Sequence, residues 1–270
     1  MNRIVLSIFF SLLLCGCFDG KSVVPDEKMQ TFRLNANIEA ATHDTRAQVE
    51  STGRFNWTED DLIGICGYKC SNNRFHYVSD VTSDNMFEGM FDASTDSIWF
   101  GYFPYKKDVV INDNILFFTI EEESDFRNDV NSAPMLGFMN GKNTMYFKQA
   151  GGLLHLSFKG FRSDMFRIVV ESTGLSRHFL SGTAVISIDS ADNPSFSFIS
   201  GSCRRVFNLS FIDKDMAIYD LFVPLTAGYY STLSVSVLNE NGDYILSRTI
   251  SDNTVERAKL IDVPLLDCSE

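Results

Sequence analysis

The sequence predicts an all-β protein, built from many short strands arranged as a sandwich or barrel. Three observations carry this. Short apolar runs, alternating or continuous, recur at short spacing with turn residues between them. Phe is abundant at 24 of 270 residues, whereas Pro numbers 6 and Trp 2, and aromatic side chains suit half-buried strands. No long apolar stripe of period 3.6 runs along any segment, so helices are expected to be few and short.

Taken in order, the chain opens with Arg3 and an apolar-rich run from Ile4 to Leu14, relieved by Ser7 and Ser11. That run is too short to span a bilayer as a helix and fits the apolar region of a secretory signal. It ends in Leu14-Cys15-Gly16-Cys17. This ending resembles a bacterial lipobox, although Cys15 stands where Ala, Ser or Thr is usual. Residues 1–16 are therefore expected to be a lipoprotein signal peptide, with Cys17 carrying diacylglycerol after cleavage. Residues 17–30 are polar and irregular and read as a tether.

Residues 31–38 alternate, with Phe32, Leu34, Ala36 and Ile38 on one face and Arg33, Asn35 and Asn37 on the other. That is a half-buried strand. A polar stretch, 39–53, follows and contains Thr45-Arg46-Ala47. Strands are then expected at 62–68 and 75–78, around an Asn72-Asn73 turn. The aromatic run 98–105 is broken by Gly101 and Pro104, and a short buried strand is expected at 115–120. The acidic stretch 121–129 matches no calcium loop spacing and reads as a solvated loop.

Gln149-Ala150-Gly151-Gly152 is the best boundary between two halves, giving units of 31–150 and 151–270. Beyond it, strands are expected at 153–158, 166–171, 184–188, 206–212, 218–223, 233–238 and 244–250. Asn241-Gly242 marks a hairpin between the last two.

The net charge of −12 argues against a nucleic-acid partner, since phosphate binding needs basic patches. It also leaves membrane anchoring to acyl chains rather than to electrostatic attraction. After Cys17 come Cys66, Cys70, Cys203 and Cys268. An exported protein keeps disulfides, and four cysteines allow three pairings that sequence cannot choose between. Zinc needs two more ligands near the Cys66/Cys70 pair, where only His76 is close. No metal or cofactor is expected.

Catalytic motifs are absent: there is no Gly-x-Ser-x-Gly elbow, phosphate-cradling glycine loop or His-Glu-x-x-His. The four histidines are scattered. His155 lies in an alternating run and is expected to be a hydrogen-bonded strand histidine. A non-enzymatic protein is expected.

Phe55-Asn56-Trp57-Thr58-Glu59-Asp60-Asp61-Leu62-Ile63-Gly64-Ile65 resembles a segment common in fimbrillin-like lipoproteins of the Bacteroidales. Other features agree in order: the lipobox, a first strand, Thr45-Arg46, Tyr102-Phe103-Pro104-Tyr105 as an aromatic-Pro-Tyr strand end, and residues 147–158 as the strand opening a second domain. The resemblance covers most of the chain. It implies two β-sandwich domains of transthyretin-like, Greek-key topology. It also implies a structural subunit (stalk, anchor or tip) of a cell-surface fimbria, carried to the outer membrane by its lipid, with other fimbrial subunits as partners and a host or bacterial surface ligand.

The implied mechanism is strand exchange. A protease cuts after an arginine beyond the first strand, and a neighbour's strand fills the groove left behind. Here the matching bond is Arg46-Ala47. The C-terminal run carries the candidate donor residues Ile261, Val263 and Leu265, with Pro264 lacking one ladder donor. Trp57 is expected to bury its ring while its indole N–H finds a carbonyl, and Asp60 and Asp61 to accept from turn amides. The alternative is a glycan-binding outer-membrane lipoprotein, with exposed aromatics such as Trp99 and Tyr102, or Tyr229 and Tyr230, as a sugar platform.

Overall fold

The computed structural model describes residues 29–39, 57–69, 71–80, 83–126, 133–190, 192–209 and 217–269. The fold is all-β. Among the described residues the only helical element is one 3-10 turn, Ile188–Ser190. The first seven strands are β1 (Gln30–Ile38), β2 (Leu62–Gly67), β3 (Asn72–Asp80), β4 (Ser83–Phe91), β5 (Ile98–Phe103), β6 (Val110–Asn112) and β7 (Ile115–Ile120). Next come β8 (Glu123–Asp125), β9 (Met135–Met139), β10 (Thr144–Gln149), β11 (Gly152–Lys159), β12 (Met165–Thr173) and β13 (Ser181–Ser187). The chain closes with β14 (Phe196–Ser202), β15 (Arg204–Asn208), β16 (Tyr219–Leu225), β17 (Gly228–Asn239), β18 (Tyr244–Val255) and β19 (Leu260–Asp267).

Seven strands of the first half form a closed barrel in the order β1-β10-β9-β5-β2-β3-β4, with β4 returning to β1. Closure satisfies both sheet edges at once. Alternation fills the interior: Leu34, Ile63, Ile65, Phe75, Phe87 and Phe147 are all fully buried. Gly101 and Gly137 face each other on β5 and β9. A Cβ on Gly101 would sit 2.4 Å from the Met145 sulfur, and one on Gly137 would sit 2.9 Å from the Phe147 ring. The glycine pair is what lets these two large side chains enter the barrel.

A four-stranded sheet, β14-β13-β7-β6, covers the outer face of the barrel. Phe100, Tyr102 and Leu136 from the barrel share a core there with Leu116, Phe118, Ala184, Ile186 and Phe196. The remaining strands form a sandwich. Its sheets are β16-β11-β19 and β18-β17-β12-β15-β8, and they meet over Leu154, Leu156, Phe158, Ile168, Val170, Leu221 and Val235. Strands β7 and β8, from before residue 150, pair with β13 and β15 from after it.

Two local expectations move. The turn between β2 and β3 falls at Tyr68 and Lys69, and Asn72 and Asn73 open β3. Their side chains find partners across the sheet: the Tyr102 hydroxyl donates to Asn72 Oδ1 at 2.9 Å, and Asn73 Nδ2 donates to the Ile65 carbonyl at 3.2 Å. The acidic stretch contributes β8, a parallel edge strand on β15. Glu123 and Asp125 stay exposed there, so an edge position accommodates carboxylates that a central strand would not.

Candidate functional site: the first strand and its groove

β1 closes the barrel as a splice between two neighbours. Its first half, Gln30 to Asn35, pairs antiparallel with β4, and its second half, Asn35 to Ile38, pairs parallel with β10. The two ladders meet at Asn35, which faces both Met86 and Thr144.

The predicted alternation holds. Leu34 and Ala36 are fully buried, and Phe32 and Ile38 pack partly buried against the same core. Phe32 meets Phe75 and Phe91 edge-on, at 6.4 and 6.0 Å between centroids. On the outer face, Arg33 Nε lies 2.6 Å from Glu88 Oε2.

Trp57 packs in the same core as the inward face of β1. Its ring makes edge contacts with Phe87, Phe103 and Phe147, at centroid distances of 5.0, 5.2 and 5.5 Å. Its indole N–H donates to the Ala36 carbonyl at 2.5 Å in a buried bond. The expected carbonyl thus belongs to the first strand itself. Asp61 Oδ2 accepts from the Thr58 amide at 2.7 Å, as a turn carboxylate should, while Asp60 is exposed.

The far end of β1 is latched to the second half of the chain. Glu39 Oε1 accepts from the Gln149 amide at 2.9 Å and from Arg257 Nη1. Arg257 also donates to the Gln149 carbonyl at 3.2 Å and to Asn193 Oδ1 at 2.8 Å. Nothing in the sequence signals this cluster, because its members stand up to 218 residues apart.

Removing β1 would leave the β4 and β10 edges unpaired over a floor of Phe87, Phe147 and Trp57, with a buried indole N–H lacking its acceptor. Cys17, Arg46 and Ala47 lie outside the described residues.

The candidate donor run is placed in its own sheet, where β19 pairs parallel with β11. Ile261 and Val263 pack against the sandwich core. A bulge opposite Leu156 and Phe158 then advances the strand by one residue. Leu266 and Cys268 therefore point inward, and Leu265 is 45% exposed rather than sharing the face of Ile261 and Val263.

The two platform residues part company. Tyr102 is buried under the four-stranded sheet, its hydroxyl within 2.9 Å of both Asn72 Oδ1 and the Lys106 carbonyl. Trp99 is half-buried and stacks at 5.6 Å and 15° on Tyr68, which is 66% exposed. Tyr230 is buried, and the exposed Tyr229 donates its hydroxyl to Asp252.

His155 binds three strands together. Its Nδ1 lies 2.7 Å from Asp262 on β19 and its Nε2 2.9 Å from Asp220 on β16, and its ring stacks on Phe222 at 4.5 Å. Ser157 is near, but its hydroxyl donates to Asp220 at 2.6 Å. The Ser157 hydroxyl also lies 3.2 Å from His155 Nε2, and the cluster staples β11, β16 and β19 together.

Cys66 and Cys268 are buried and Cys203 is half-buried, whereas Cys70 lies outside the described residues.

The sequence matches no known protein family and no curated protein. Solved structures do resemble it. A candidate cell adhesion protein from Bacteroides ovatus ATCC 8483 is similar over 87% of this chain and 92% of its own, with a TM-score of 0.51 at 12% identity. Two more candidate cell adhesion proteins cover similar spans. The one from Bacteroides uniformis ATCC 8492 matches 86% of this chain and 93% of its own, at TM-score 0.45 and 12% identity. The one from Bacteroides fragilis NCTC 9343 matches 85% and 89%, at 0.38 and 9%. The first of these establishes a shared fold.

Proposed function

We propose that this chain is a structural subunit of a cell-surface fimbria, exported as a lipoprotein and assembled by strand exchange. The observation that carries the reading is the position of β1. It is the first described element after the expected lipid at Cys17 in the sequence, and it is spliced between two neighbours over an aromatic floor. A cut after Arg46 would remove residues 1–46, and with them β1, the acceptor of Trp57 and the carboxylate that holds Arg257.

The incoming strand would regain ladder bonds on both sides. Each large apolar side chain it buried fully would contribute roughly 1.5–3 kcal/mol. The fold shared with a candidate cell adhesion protein supports a surface role, and no catalytic step is part of it. The run with Ile261, Val263 and Leu265 is the proposed donor, and donating it means giving up its own parallel pairing with β11.

N-terminal sequencing of surface-extracted protein tests the proposal. A start at Ala47, together with ladders of oligomers on gels after trypsin treatment, supports a polymer subunit. Retention of lipidated Cys17 in assembled material assigns an anchor. Monomers alone, cut or uncut, count against strand exchange.

The second reading is a glycan-binding outer-membrane lipoprotein, favoured by the stacked Tyr68 and Trp99 pair at the surface. Glycan-array binding by the monomer that Trp99→Ala abolishes without unfolding brings that reading forward.

A further inference from the structure

Arg205 on β15 is 5% exposed, and its Nε and Nη1 are buried with no hydrogen-bond partner among the described residues. Burial pushes the guanidinium down to about 10, and no carboxylate among the described residues offsets that fall. Its guanidinium carbon lies 4.9 Å from the centroid of the Phe207 ring. Burying a charge without a counter-charge is costly, and a cation–π contact returns only part of that cost. An arginine in this state is poised for an anion from outside the chain.

The surroundings say what kind. Arg205 and Phe207 line a cavity of about 360 Å³ where the barrel, the four-stranded sheet and the sandwich meet. This is near the lower end of small-molecule sites, so it suits one small ring rather than a long chain. Tyr105 and Phe222 offer aromatic walls, Lys106 adds a second cation, and Glu121 and Asp125 add acceptors. A simple anion would use the cations alone. Acceptors beside them suit a ligand that also carries hydroxyl groups, and aromatic walls suit a sugar ring.

We propose that this cavity binds a carboxylate-bearing sugar, of the uronic or sialic acid class, with its carboxylate toward Arg205 and its hydroxyls toward Glu121 and Asp125. Arg presents planar paired donors that match a carboxylate. The site is independent of β1 and of strand exchange, and it does not involve Trp99. In a protein of net charge −12, the cations Arg205 and Lys106 give an acidic sugar a local partner that a neutral sugar does not use.

The test is binding of glucuronic acid and N-acetylneuraminic acid to the whole folded chain, by calorimetry or saturation-transfer NMR, with glucose and acetate as comparisons. At least one acidic sugar should bind about tenfold or more tighter than either comparison. Arg205→Met should abolish that preference, while its thermal midpoint stays at or above the parent's because an unpaired charge has gone. Trp99→Ala should leave binding intact. Absence of acidic-sugar binding at millimolar concentration overturns the proposal. So does acetate matching the sugars, which would reduce the site to a plain anion site, and so does an unaltered preference in a folded Arg205→Met protein. If Arg205→Met does not fold, Lys106→Gln carries the comparison: a weakened preference for acid over glucose supports the site, and an unchanged one overturns it.

Discussion

Leu34 is the sharpest probe of whether β1 is a structural plug. It is fully buried and faces Phe87 across the β1–β4 ladder, inside a core shared with Phe75, Phe147 and Trp57. Leu34→Ala deletes its terminal branch among rigid aromatic rings held by a closed barrel, which collapse poorly into the space. Buried Leu→Ala changes cost about 2–5 kcal/mol, with the larger values at sites that cannot relax, so about 3–5 kcal/mol is expected here. Arg33→Ala is the control on the same strand. Its ion pair with Glu88 has side chains 55% and 24% exposed, and such pairs contribute about 0–1 kcal/mol. Urea unfolding followed by tryptophan fluorescence reads both. In a Trp99→Phe background Trp57 is the sole tryptophan, and it touches β1 directly. A Leu34→Ala loss below about 1 kcal/mol at unchanged m-value would refute the idea that β1 completes the barrel core.

Three further outcomes are expected. Gly64→Ala would place a Cβ 2.0 Å from the Tyr102 ring, which is pinned through its hydroxyl; a loss near the top of the overpacking range, about 3 kcal/mol, should appear in the same urea assay, and a neutral effect would show the ring free to move. Burial raises the Cys268 thiol to about 11, so native protein at pH 8 should resist iodoacetamide at this position while urea-unfolded protein is alkylated, as peptide mass spectrometry will show. Lys159 and Ser269 hold Asp267 down at about 2, below its unfolded value of about 3.9. The stabilisation is therefore complete above about pH 4 and is lost as pH falls through about 2. Asp267→Asn should flatten that part of the thermal-midpoint profile, and an identical acid limb in both proteins would count against the contact.

Several elements were legible because their signals are local. The alternation of Phe32, Leu34, Ala36 and Ile38 sets the inward face of β1. Asn241-Gly242 sets the β17–β18 hairpin, where Gly242 takes φ +86° and its amide donates to the Asn239 carbonyl at 3.1 Å. The indole N–H of Trp57 needed a carbonyl once its ring was buried, and His155, set within a strand, needed hydrogen-bond partners. Other features had no local signal. β4 carries Ser, Asp, Asn and Gly among its apolar residues, and only its neighbours β1 and β3 give it a place. The bulge that turns Leu265 outward arises from pairing with β11. Arg205 reads as an ordinary basic residue beside Arg204, and its burial and missing partner exist only because three sheets converge on it.

The sequence by itself determined that this protein is all-β and which faces of its strands are apolar, because side-chain alternation has a fixed period of two along any strand. It also determined where the first strand lies relative to Cys17 and Arg46. The tertiary structure alone decided that this strand closes a barrel, with β4 on one side and β10 on the other. A strand's own pattern says which face is buried but not which edges it will meet. Partner choice over more than a hundred residues depends on packing energy summed across the whole core, from the glycine pair that admits Phe147 to the Glu39–Arg257 latch.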